Sequence, residues 1–178
     1  MRFLIFLLFP VFLYSQNDSL RFPKPSKSDV ILVGYQASFD PKDDENDFKR
    51  LKTVHILEVN YSKIYDRGGI HPASLSYYFG NDFVLNFNQF IIGPKMGFNI
   101  SGNALSFGSE LSFYTNFKEI KPRFIPFVGM GFYGSKLFVS FPIQLSKSDF
   151  VPVNKLNVGI TIPIYNLNKK KFEIINKN

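Results

Sequence analysis

Stretches of ten to fourteen residues in which large apolar side chains occupy every second position recur along most of this chain, and that period constrains the fold more than any other feature. Residues 104–117 place Leu105, Phe107, Leu111, Phe113 and Phe117 on one parity and Ser106, Gly108, Glu110, Ser112 and Asn116 on the other. Residues 136–146 set Leu137, Val139, Phe141, Ile143 and Leu145 against Lys136, Ser140 and Gln144, and residues 155–166 set Val158, Ile160, Ile162 and Ile164 against Asn157, Gly159 and Thr161. Successive side chains of a β-strand point to opposite faces, so each stretch predicts a strand with one greasy and one small polar face. Residues 88–101 and 121–134 follow the rule, residues 73–86 and 52–65 follow it more loosely, and residues 29–39 are apolar on both parities. The reading is all-β, with eight strands longer than the five to six residues common in soluble sheets.

Alternation does not by itself say which face points inward. Residue size does. The polar parity carries Gly93, Gly97, Gly108, Gly129, Gly131 and Gly159 among serines and asparagines, which suit a crowded interior. The bulky parity then needs an apolar environment outside, and the sequence offers no amphipathic helix to cover it. An antiparallel up-and-down transmembrane β-barrel is the architecture that results, with lipid as the partner of its outer face. The connections agree, with short turns near residues 66–72, 101–103 and 134–135 on one rim and longer, more charged loops at 40–51, 85–89, 117–120 and 147–154 on the other.

The N-terminus adds a destination. Arg2, an apolar run over residues 3–14, and then Ser15, Gln16, Asn17 and Asp18 form the charged, hydrophobic and polar regions of a secretory signal peptide, with cleavage expected after Ser15. A run of this length falls short of the ~20 residues of a spanning helix. The expected organisation is a signal peptide over 1–15, an N-terminal segment over 16–28, a barrel over 29–166 and a basic tail over 167–178. The chain contains no Cys, which removes disulfides, thiolate ligands and a lipoprotein anchor. The pattern over 29–166 resembles the small eight-stranded outer-membrane β-barrel proteins of Gram-negative bacteria, of the OmpA- and OmpX-like kind. Such proteins usually end on an aromatic residue of the last strand; here that strand carries Tyr165, and a tail follows it. The resemblance implies residence in the cell outer membrane.

Several residue groups could carry chemistry. Gly129, Gly131 and Gly134 match a dinucleotide fingerprint, but an alternating strand follows where that motif needs a helix, so the glycines read as spacers and no cofactor is expected. His71 with Ser74, Ser76 and Glu58 could be arranged for hydrolysis, which makes a lipid-modifying enzyme one alternative, although the spacing specifies no catalytic residue; His55 is the other histidine. Asp40, Asp43, Asp44, Glu45 and Asp47 crowd the first long loop with Lys42, Lys49 and Arg50, without the glycine of a calcium-binding loop, so no metal site is assigned. Lys169, Lys170, Lys171 and Lys177 could touch an acidic envelope polymer; nucleic acid is not among the expected partners.

Glu58, Asp82 and Glu110 share the polar parity with Lys95, Arg123 and Lys136. Eight strands enclose just enough room for side chains, so these six charges are expected to pair across a plugged lumen. The function so implied is structural, or surface interaction through the loops, rather than enzymatic. A secreted soluble ligand-binding barrel is the remaining alternative.

Overall fold

A computed structural model describes residues 26–39, 53–67, 73–85, 90–132, 134–146 and 152–168. Its elements are β1 (Ser26–Phe39), β2 (Val54–Arg67), β3 (Ala73–Val84), β4 (Ile91–Gly102), β5 (Leu105–Thr115), β6 (Ile120–Phe132), β7 (Ser135–Ser140), β8 (Ile143–Gln144) and β9 (Leu156–Asn166). Each pairs antiparallel with its neighbour, β9 returns to β1, and β5 joins β6, which closes an eight-stranded barrel in which β7 and β8 are halves of one strand. All eight expected stretches correspond to strands. β1 begins three residues before the expected boundary at 29, because Ser26, Lys27 and Ser28 continue the ladder opposite Asp66, Tyr65 and Ile64.

Pro142 explains the break between β7 and β8. The amides of Phe141 and Leu145 donate to the carbonyls of Pro126 and Pro122 on β6, at 3.0 and 3.2 Å. The intervening position faces away from β6, toward the side on which β9 pairs only as far as Ser140 opposite Asn157. Proline has no N–H to leave unpaired there, so it ends the seam without an orphan donor. Pro163 has a similar effect on β9: Ile31 pairs with Tyr165 and Leu32 with Pro163, so Ile164 bulges.

The turns at one rim are tight. Asn103 and Ala104 link β4 to β5 with φ of 50° and 70°, the left-handed pair of a two-residue hairpin, and Gly134 at φ 87° precedes β7. At the other rim, Asn116 Oδ1 accepts the amides of Lys118 and Glu119 at 3.0 and 2.8 Å and closes the turn from β5 to β6.

The two parities face as residue size suggested. Phe79, Phe107, Val128, Leu137, Ile160 and their neighbours are exposed on the outer wall, whereas Gln36, Glu58, Ser106, Phe138 and Thr161 are buried inside. Buried side chains lie inside the barrel in layers. Val54, Ile56, Val84, Ile91, Tyr114, Ile125 and Val153 cluster toward the rim of the longer loops. Val30, Leu32 and Ile64 cluster toward the opposite rim, near Gly134, and polar groups occupy the level between.

Candidate functional site: a charged layer inside the barrel

Polar side chains from seven strand segments meet in that middle layer. Lys95 on β4 is its centre: its Nζ lies 2.5 Å from Glu58 Oε2, 2.7 Å from Asp82 Oδ1 and 3.0 Å from Glu110 Oε2. Three carboxylates thus converge on one ammonium group with almost no exposure to solvent. Glu58 and Asp82 also accept hydrogen bonds. Glu58 accepts from Gln36 Nε2 at 3.1 Å and from the Thr161 hydroxyl, Gln36 Oε1 accepts from Asn157 at 3.3 Å, and Asp82 Oδ2 accepts from the Tyr114 hydroxyl at 2.6 Å. A buried charge is tolerable only when paired and hydrogen-bonded in this way.

Lys136 takes the fourth place. Its Nζ is 3.8 Å from Glu110 Oε1 and stands over the rings of Phe127, Phe138 and Tyr78 at 4.1, 4.4 and 5.0 Å. Aromatic faces carry negative quadrupole density, so three rings supplement one carboxylate as its counter-charge.

Two glycines make the layer possible. A Cβ at Gly34 would fall 2.0 Å from Glu58 Oε1, and one at Gly93 would fall 2.7 Å from the Tyr114 ring. The glycines therefore clear space for the side chains that carry the network, and this is the close backbone approach that glycine permits.

Arg123 departs from the expected six-residue cluster. Among the described residues it forms no ion pair with Glu58, Asp82 or Glu110, and its guanidinium donates instead to the Asn154 carbonyl at 3.2 Å. The register gives the reason: Glu110 lies opposite Ile125, so Arg123 points inward two residues nearer the rim, with Ile125 between. That rim holds what the sequence reading missed. Residues 147–154 were expected to form an outer loop, yet Pro152 and Val153 are buried against the inner apolar cluster. Asn154 fixes them there, its amide donating to Ser38 Oγ at 2.8 Å and its side-chain nitrogen to the Ser38 carbonyl at 2.9 Å. The only sequence signal was an apolar triplet, Phe150, Val151 and Val153, in an otherwise polar connection.

The other candidates lie apart. Ser74 shares a hydrogen bond of 2.7 Å with Ser101, and Ser76 donates to the Asn99 carbonyl at 3.5 Å. His71, the acidic residues 40–47, the tail lysines and the N-terminal apolar run lie outside the described residues. His55 stacks on Tyr35 at 5.8 Å and its Nδ1 meets the Tyr35 hydroxyl on the outer wall. Gly129 and Gly131 sit within β6, and Gly134 leads directly into β7, so no helix follows the glycine pattern. No group of metal-ligating side chains occurs among the described residues.

The fold and its interior define a closed antiparallel β-barrel with a charged core and an apolar exterior. In comparisons with known proteins, no family model, no curated protein and no solved structure matches the chain.

Proposed function

We propose that the protein is an integral outer-membrane β-barrel of the small eight-stranded kind, exported by its N-terminal signal, with a lumen packed shut and a structural or surface-interaction role carried by its loops. One observation carries the reading: large apolar side chains occupy most outward positions around the barrel, the outward charges of β1 and β2 lying near one rim, while Glu58, Asp82 and Glu110 pair with Lys95 and Lys136 inside. In water such a distribution would leave the exterior uncovered, far beyond the few hundred Å² of contiguous apolar patch usual for soluble monomers. In a bilayer it satisfies both solvents, since closure of the sheet pairs the backbone and lipid meets the rings. Eight strands leave no room for an open channel once side chains point inward.

The test is fractionation of cells producing the full chain. The reading expects the protein in the outer-membrane pellet, extracted only by detergent, and migrating differently on gels before and after heating. Detergent-independent recovery in the soluble periplasmic fraction would favour the secreted soluble barrel and overturn the membrane reading.

A further inference from the structure

Strand register arranges the outer wall of β2 to β6 into two parallel rows. Lys63 stands opposite Tyr77, Tyr77 opposite Phe98, and Phe98 opposite Ser109. The adjacent row runs through Tyr61, Phe79, Met96, Leu111 and Phe124. Ser109 is small where its neighbours are large, and between the rows lies a groove of about 660 Å³ bounded by Lys63, Phe79, Met96, Phe98, Leu111 and Phe124. Four inter-strand spacings of ~4.8 Å make it roughly 19 Å long. It runs across the tilted strands and so lies oblique to the membrane normal, with length enough for much of an extended acyl chain.

Charge marks one end of the groove. Among the described residues, Lys27, Lys63 and Arg67 are the only Lys or Arg side chains on outward-facing strand positions, and all belong to β1 and β2 near the rim of the tight turns. Asp29 is the acid beside them. Its Oδ1 already accepts from the Tyr61 hydroxyl at 2.9 Å, and Lys63 Nζ makes a loose ion pair with it at 4.0 Å, beyond hydrogen-bond length, so an anion at closer range can compete for the ammonium. Lys27 lies over the Tyr65 ring at 5.8 Å, on the strand position next along the same corner. A cationic, tyrosine-bearing corner continuous with an apolar trough matches a molecule that is anionic at one end and aliphatic at the other.

Building on the membrane reading above, we propose that this groove binds one phospholipid with an anionic headgroup, its phosphate at Lys63 and Lys27 and one acyl chain lying over Ser109. The occupant comes from the leaflet on the side of the tight turns. A lysine near an anionic lipid surface corresponds to a preference of roughly fivefold.

The experiment inserts the full chain into phosphatidylcholine bilayers containing a minority of phosphatidylglycerol and counts the lipids retained on the intact protein by mass spectrometry. The proposal expects one retained phosphatidylglycerol, preferred at least about fivefold over phosphatidylcholine. Lys63→Ala should weaken the preference about fivefold and Lys27→Ala with Lys63→Ala should abolish it, and Ser109→Phe, which fills the trough and leaves the cations in place, should abolish retention. Lys118→Ala, in the turn at the opposite rim, should change neither. Heat-dependent gel mobility verifies that each variant is folded. A folded, inserted protein that retains both lipids equally, or whose preference and retention survive these substitutions, overturns the groove while leaving the membrane reading intact. Failure to insert into either bilayer overturns both.

Discussion

Lys95 Nζ lies 2.5 Å from Glu58 Oε2 although the strands that carry them, β4 and β2, are not neighbours in the sheet. The pair therefore spans the interior and ties non-adjacent parts of the wall together, which a ladder of backbone bonds cannot do. Lys95→Met should strand three carboxylates in a dry interior and cost about 3 to 5 kcal/mol, the usual loss when one member of a buried pair is removed. Arg123→Met removes a bond to one carbonyl and should cost less. Urea titration of the folded protein in lipid, read by gel mobility, checks the order; an equal or smaller loss for Lys95→Met would contradict the central role given to it.

Val153 is fully buried in the apolar cluster under the rim of the longer loops. Val153→Ala deletes two methyl groups from a packed site and should cost about 1 to 3 kcal/mol. Thermal unfolding in detergent measures it. A loss within a few tenths of a kcal/mol would mean that residues 152–154 rest on the barrel instead of packing into it.

Gly34 and Glu58 occupy the same space between β1 and β2. Gly34→Leu must displace the Glu58 carboxylate from Lys95, because even a Cβ at that position would fall 2.0 Å from Oε1. Overpacking commonly costs about 1 to 3 kcal/mol, and lost pairing adds to it. Adding Glu58→Ala to Gly34→Leu relieves the clash, so the double variant should lose less than the sum of the two single losses in the same unfolding assay. Strict additivity would place the two side chains apart.

If the lumen is packed shut as proposed, no continuous water path crosses it. The purified protein should show no steady conductance in planar bilayers. A reproducible open channel from the unmodified chain would show that the interior is wet.

The wall of this barrel was legible in the sequence because alternation is local: Leu137, Val139 and Phe141 declare an outward face without knowledge of any partner strand. Burial of Glu58, Asp82, Lys95, Glu110, Arg123 and Lys136 followed from parity for the same reason. Parity gives only the side of the sheet, however, and not the height along the barrel. Arg123 points inward as Glu110 does, yet strand register sets it two residues closer to the rim. Register between strands also decides the groove over Ser109, which no single strand reveals. The inward fold of Pro152 and Val153 depends on Ser38, more than a hundred residues earlier, and a connection carries no period from which to read it.

The central claim is that the bulky parity faces lipid, and a nitroxide scan of β9 in bilayers tests it most directly. Labels at Val158, Ile160 and Ile162 should be relaxed strongly by oxygen dissolved in the hydrocarbon, and labels at Asn157, Gly159 and Thr161 weakly, with a period of two. The same period should appear in stability, with Ile160→Arg costing about 2 to 4 kcal/mol near the midplane. Uniform oxygen access along β9, or a protein that folds and stays soluble without lipid or detergent while Ile160→Arg is neutral, would contradict the account.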